Sequence, residues 1–358
     1  MLGTSAPPPS EGDLSSLSRS KLFATIARWG IAIILLGATV NLALAWQSIR
    51  LGAAETVRAA APGWLGLAVV LGVVPWGFTA ARVWMWARFF GTPITARNAL
   101  RVGIGTELGS SISPKAIGGA PVKVGLLVDS GVRTGTAASM LMLDNLVDIV
   151  FFAGVAPAIA FATARWTLPE VQEVLGRLLD KALATTPWIV GTIVVIATLL
   201  LIRRLRPGRE PAGNAGTVRR ALSGVRDEFL SAYQLVGKRG KSRFVIAVVL
   251  TTGLWGARCS VATAVLYGLG SEVDPVLFFL LQWVVFMMMV FVPTPGAALG
   301  AEASFGAVID GFVVEGVLGI LTAGWRFFSF YLPLLLGLAV MPLLGVMPTI
   351  SRSTTPPA

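Results

Sequence analysis

The 358-residue chain has no histidine, a single cysteine and few charges, with only 13% of its residues Asp, Glu, Lys or Arg. Without histidine, the usual metal ligand and the usual general base at neutral pH are both missing. The lone Cys259 cannot form an internal disulfide, and in an apolar segment it says nothing about redox compartment. The charge content lies far below the roughly 25% of a soluble domain, whereas hydrophobic residues make up 55%. That composition reads as an all-α, polytopic membrane helix bundle. No G-x-x-x-x-G-K-[ST] run occurs, so the chain carries no P-loop and any transport would not be powered by an ATPase of its own. No soluble domain is left over to bind nucleic acid. The formal net charge of +11 instead fits basic loops facing anionic lipid.

What is present is a series of apolar runs interrupted by charges and helix breakers. Residues 1–28 open with a Pro/Ser-rich stretch that cannot bury a core and are read as a disordered cytoplasmic tail. Trp29 to Trp46 is long enough to span and lacks a small-residue cleavage site, so a retained first helix is expected. Pro62 to Phe90 follows, with Arg82 inside it. Ala99 to Ser130 is polar at Thr106, Glu107, Ser110 and Ser111 and is broken by Ser113-Pro114-Lys115-Ala116-Ile117-Gly118-Gly119-Ala120-Pro121. It reads as a re-entrant hairpin, because each arm is too short to cross by itself.

Thr134 to Phe161 is a full span with Asp144 and Asp148 one turn apart on one face. A further span is expected over Pro187 to Ile202. The basic cytoplasmic loop 203–243 has helically spaced apolar residues over Val218 to Val236, the pattern of an amphipathic helix on the membrane surface. Phe244 to Leu269 spans again, with Arg258 inside. Pro275 to Val292 then meets Pro293 and Pro295, which remove backbone donors, and Gly296 and Gly300, which permit turns; Glu302 follows. This is the second expected hairpin. The last span, Val313 to about Val346, contains Arg326 and is expected to kink at Pro333 and Pro342. The reading is one transmembrane domain over 29–346, with about six full spans, two re-entrant hairpins and a disordered tail over 347–358.

The two hairpins look like copies, within repeats over 63–161 and 244–346. The interval from Trp76-Gly77 to Gly91 recurs from Trp255-Gly256 to Gly270, and that from Gly91 to Pro114 recurs from Gly270 to Pro293. Lys123 and Glu302 lie equally far beyond those glycines. The second copy starts three crossings after the first, so the copies would point in opposite directions, the inverted-repeat plan of many transporters. The positive-inside rule places the first tail, Arg88 to Arg133 and the basic loop in the cytoplasm, with both termini there.

Arg82, Glu107, Asp144, Asp148, Arg258, Glu302 and Arg326 each fall in or beside an expected membrane segment. A charge at a helix centre costs roughly 2.5–3.5 kcal/mol on insertion scales, so these groups need pairing or a polar cavity. Structural ion pairs are the plainest reading, and for Arg82, Arg258 and Arg101 snorkelling to the interface is another. Lys115 and Lys123 beside Gly118-Gly119 are either solvated loop charges or an anion site, since a glycine-rich turn exposes N–H groups and the next helix presents its positive end. Glycines there would also permit close helix packing.

The residues Arg82 … Gly91, Ser113-Pro114 … Gly118-Gly119 … Gly125-Leu126-Leu127 … Gly131, Asp144 … Asp148, Pro293-Thr294-Pro295-Gly296 … Gly300 … Glu302 and Arg326 resemble the lysylphosphatidylglycerol synthase transmembrane region. The resemblance to this flippase-like family of bacterial and archaeal membrane proteins runs from Gly63 to Gly345. In its best-known relatives the region moves aminoacylated phosphatidylglycerol between leaflets, ahead of a soluble aminoacyl-transferase domain. No such domain is recognised here, so synthesis of the lipid by this chain alone is not expected and a transferase would be a separate cytoplasmic partner. Where the family often has Asn before its first-half proline, this chain has Ser110-Ser111-Ile112-Ser113-Pro114.

The resemblance implies a cytoplasmic-membrane protein without cofactor that binds and translocates an anionic phospholipid or lipid-linked headgroup, and is not an enzyme. Lys115, Lys123 and the Gly118-Gly119 amides would hold phosphate. Glu302, Asp144 and Asp148 would balance Arg82 and Arg326 or meet a cationic headgroup. The alternatives are a membrane enzyme or accessory subunit acting on lipid-linked sugars or headgroups, with Asp144 and Asp148 binding a divalent ion, and a scaffold recruiting a cytoplasmic partner through the basic loop.

Overall fold

A computed structural model describes residues 31–50, 54–92, 94–113, 118–177, 240–292, 294–314 and 316–345, together with 180 and 237. Pro114, Lys115, Pro293, the span expected over Pro187 to Ile202, the stretch Val218 to Val236 and both expected tails lie outside the described residues. The described chain is helical throughout, without a β-strand. Its main helices are α1 (Ile31–Ser48), α2 (Ala54–Arg58), α3 (Pro62–Phe89), α4 (Ala96–Ser111) and α5 (Gly119–Asp129). There follow α6 (Thr134–Ala162), α7 (Lys241–Gly268), α8 (Pro275–Met289) and α9 (Gly300–Ile309), and finally α10 (Leu318–Val340).

Five of these, α1, α3, α6, α7 and α10, are long and apolar enough to cross a membrane. At 1.5 Å per residue, the 28 residues of α3 reach about 42 Å, more than the ~30 Å of a hydrocarbon core. In α6 only 17% of the most apolar window is buried within the protein. Ile149 and Phe161 on α6, and Val245 and Val249 on α7, are exposed, as a lipid-facing surface requires.

Local sequence sets the helix ends. Pro62 opens α3 at its first turn, where its missing N–H costs nothing. Thr95 caps α4 by accepting the Asn98 N–H, and Asp274 caps α8 by accepting those of Val276 and Leu277. The long α6 and α10 each contain a five-residue π turn, Phe151–Val155 and Phe327–Tyr331. Each turn ends two residues before a proline, Pro157 or Pro333. A proline ring clashes with the carbonyl four residues back, and the wider turn makes room for it. The irregularity expected at Pro333 is thus a π turn upstream of it, while Pro342 begins a terminal 3-10 turn, Pro342–Leu344. The last helix starts at Leu318 rather than Val313, after the left-handed Gly316.

Contacts at the helix ends fix which end of the bundle each hairpin reaches. We call proximal the end where α1 begins. There the Arg97 guanidinium at the start of α4 donates to Leu343 O beyond α10 at 2.6 Å. Arg101, also near the start of α4, pairs with Asp129 at the end of α5 at 2.6 Å, so both arms of the first hairpin end proximally. At the distal end Ala61 N–H donates to Gly268 O at 2.8 Å, making α3 and α7 antiparallel neighbours. Asp274, at the start of α8, pairs there with Arg165 beyond α6 at 2.7 Å. The α4–α5 hairpin is therefore open at the proximal end and the α8–α9 hairpin at the distal end, where Asp310 after α9 lines a cavity with Ser48 of α1.

Each hairpin has its own apolar core. Val102, Leu127, Met140, Val147 and Trp86 surround the first; Leu281, Val285, Phe305 and Trp325 surround the second. Gly91 and Gly270, which the repeated spacing aligns, both have left-handed φ values, 72° and 77°.

Candidate functional site

The buried charges fall into two clusters and one bridging pair. In the first cluster Arg82 of α3 reaches two carboxylates of α6: Nε lies 2.8 Å from Asp144 and Nη1 lies 3.1 Å from Asp148. Nη1 also donates to Thr251 Oγ1 of α7 at 2.7 Å. Lys123 of α5 contacts the other Asp144 oxygen. The Trp255 indole of α7 lies 3.4 Å from Asp148. Two cations thus meet two carboxylates, and Arg82, Lys123 and Asp144 are all buried. A neutral set is the arrangement that intramembrane charges require.

This geometry corrects the expected phosphate cradle. Lys123 is only 3% exposed and is held by Asp144, so it is neither a solvated loop charge nor an open anion ligand. The Gly118 N–H donates to Ser113 Oγ at 2.7 Å. A Cβ on Gly118 would sit 2.5 Å from Gly109 O, and one on Gly119 would sit 2.0 Å from Ser110 Oγ. The glycine pair therefore serves the close packing of α5 on α4. Lys115, the other expected ligand, lies outside the described residues.

The second cluster is built on the break between α8 and α9. Three residues there are left-handed: Gly296 (φ 58°), Ala297 (φ 52°) and Leu299 (φ 67°). For Ala and Leu such a conformation costs about 1–3 kcal/mol each, and it persists only where surroundings hold it. Arg326 of α10 supplies part of that hold: Nη2 donates to Gly296 O at 2.9 Å. Thr294 Oγ1 donates to Ala298 O at 2.8 Å. Arg326 Nε donates to Glu302 Oε1 at 2.9 Å, and the Asn41 amide of α1 donates to the same oxygen at 2.7 Å. The Arg326 guanidinium lies over the Phe330 ring at 4.4 Å. Pro295 and Gly300 flank the turn, and a Cβ on Gly300 would meet Val292 at 2.4 Å.

Gly296→Ala is expected to destabilise the protein. The left-handed position alone costs about 1–2 kcal/mol. The new Cβ would also lie 2.3 Å from the Phe330 ring that supports Arg326. A lowered melting temperature in detergent checks this.

The bridging pair joins the halves. Arg258 of α7 pairs with Glu107 of α4 at 2.7 Å, and its guanidinium lies 5.3 Å from the Trp255 ring. Both members line a cavity of about 300 Å³ with Ser110 and Ser111 from the first hairpin, Thr294, Gly296 and Ala297 from the second, and Arg326 and Ser329 from α10. The two oppositely directed hairpins thus share one cavity, in which these polar groups stand among Trp255, Phe286, Met289, Trp325 and Phe330. Arg82, Asp144, Asp148 and Lys123 do not line it, although Trp255 touches both places.

Two further cavities meet the second cluster. One of about 400 Å³ at the distal end is lined by Gln47, Ser48, Glu302, Asp310 and Thr322. Another, about 860 Å³ and almost wholly apolar, runs between α1, α4, α5 and α10 and reaches Asn41 and Tyr331. Asn41 and Tyr331 were not singled out from the sequence. Asn41 is the only amide inside the Trp29 to Trp46 run, and that is the signal available for it. Among the described residues, no three His, Cys, Asp or Glu gather as a metal site. Asp144 and Asp148 instead both face Arg82.

Fold and site together define a multi-pass, all-α membrane protein with two buried charge clusters, one among α3, α5, α6 and α7 and one at the break between α8 and α9. The chain matches the lysylphosphatidylglycerol synthase TM region over residues 23–337, and it belongs to that family. It is also similar to a UPF0104 membrane protein of Archaeoglobus fulgidus, with 22% identity over 291 residues covering 76% of this chain and 85% of the relative. The membership agrees with the resemblance carried by the two helix-breaking motifs.

Proposed function

We propose that the protein binds an anionic phospholipid, or a lipid-linked headgroup, in the cavity between the hairpin tips and translocates it across the cytoplasmic membrane. One observation carries this reading: oppositely directed hairpins end on a single cavity that holds two arginines, Arg258 and Arg326. Each arginine is held by a carboxylate of a different element, Glu107 or Glu302. A phosphate can take the place of either carboxylate as a charge-assisted acceptor, with Ser110 offering a neutral hydroxyl. The apolar groove beside α1 offers a path for acyl chains. The hairpins act as re-entrant elements of an inverted repeat, with the breaks as hinges and both termini in the cytoplasm. No covalent step is involved.

The test is leaflet exchange in liposomes reconstituted with the protein. Labelled phosphatidylglycerol and aminoacyl-phosphatidylglycerol are expected to exchange faster than in protein-free vesicles, and faster than labelled phosphatidylcholine. Exchange of none of these lipids above the protein-free rate would overturn the reading.

A further inference from the structure

We propose that Glu302 is a proton-coupling site, which takes up a proton from the distal cavity when an anion engages Arg326 in the cavity between the hairpins. The proposal rests on the lipid-binding reading above and adds a second ligand, the proton, with its own route.

The geometry is asymmetric. Glu302 is 6% exposed, and both its donors, Arg326 Nε and Asn41 Nδ2, converge on Oε1. Among the described residues Oε2 has no hydrogen-bond partner, and neither has Asn41 Oδ1. The Asn41 amide faces this way because a carboxylate can only accept. Oε2 is thus the oxygen at which a proton can add without displacing Arg326 or Asn41.

Glu302 and Arg326 also look onto different spaces. Glu302 lines the distal cavity with Gln47, Ser48, Asp310 and Thr322. Arg326 lines the cavity between the hairpin tips. The charged and titratable groups around Glu302 are Arg326 and Tyr331 from α10, together with Asp310, which shares its cavity; α1 contributes the neutral Asn41. An anion that draws on Arg326 weakens the only cation paired with Glu302 among the described residues and brings a second negative charge nearby. Both changes favour the protonated carboxyl. By reciprocity, protonating Glu302 frees the guanidinium and tightens anion binding. The step is one proton passing from water in the distal cavity to a Glu302 oxygen, with no bond in the lipid changed.

Titration calorimetry of the full-length protein in detergent tests this, using dihexanoyl phosphatidylglycerol in two buffers of different ionisation enthalpy. Wild type is expected to take up as much as about one proton per lipid, and its affinity to rise up to about tenfold per pH unit as pH falls. In Glu302→Gln, whatever affinity remains is expected to be independent of pH and free of proton uptake. If wild type binds the lipid without proton uptake, the coupling is wrong and the lipid site stands. If Glu302→Gln still takes up a proton, the acceptor is another group and the proposal fails. If wild type neither binds nor exchanges lipid, the underlying reading falls and takes this one with it. Should Glu302→Gln fail to fold, the wild-type uptake and pH slope decide.

Discussion

Replacing Asp144 by leucine is expected to destabilise the protein by about 3–5 kcal/mol, and adding Lys123→Met to the same chain is expected to recover most of that loss. Asp144 faces Arg82 on one oxygen and Lys123 on the other, at 2% exposure. Without it, Asp148 alone opposes two buried cations. Removing Lys123 as well restores one-to-one balance, because Arg82 keeps Asp148 at 3.1 Å and Thr251 at 2.7 Å. Replacing a buried pair with apolar side chains of similar volume is often neutral, whereas breaking it leaves an uncompensated charge. Melting temperatures of the three proteins in detergent separate these cases. A single variant as stable as wild type, or a double variant worse than the single, would mean that the cluster is not balanced by these residues.

Arg326→Ala is expected to slow exchange of anionic lipid at least tenfold. A hydrogen bond to a charged group contributes about 1.5–3 kcal/mol, which is roughly 10–150-fold in rate or affinity. This side chain makes such bonds to Glu302 and to Gly296 O, and it also lines the cavity. The variant therefore loses the anion's partner, the partner of Glu302 and the tether of the strained break together. Part of the loss is structural, so the variant is to be compared with Arg258→Ala. The Arg258 and Glu107 side chains are 24% and 34% exposed, against 2% and 5% for Arg326 and Glu302, so breaking their pair strands a less deeply buried charge. Arg258→Ala should thus lose less stability than Arg326→Ala and still exchange anionic lipid more slowly.

Composition and helix breakers made the fold class legible. A chain with so few charges has only helices or barrels available in lipid, and the runs around Arg82, Asp144 and Arg258 had the length of spanning helices. The break at Pro293 to Gly300 was legible for the same reason: prolines and glycines in an apolar run remove donors and permit left-handed turns. The pairing of charges was harder to read. Sequence spacing placed Lys123 beside a glycine pair, which suggested an anion cradle, but the side chain turns inward to Asp144 on the next helix. Which way a helical lysine faces depends on packing between α5 and α6, and no local pattern encodes that. The same limit hid Asn41, which reaches Glu302 across 261 positions of chain. Pro333 signalled an irregular helix, but whether proline produces a kink or a π turn is decided by the neighbouring helices.

The most direct test of the central claim is the exchange rate of labelled phosphatidylglycerol in liposomes holding folded Arg258→Ala at the same protein density as wild type. This variant removes a cation from the shared cavity without opening a deeply buried pair. The account predicts clear exchange by wild type and a several-fold slower rate in Arg258→Ala. A well-folded Arg258→Ala that exchanges the lipid at the wild-type rate would contradict a lipid path between the hairpin tips.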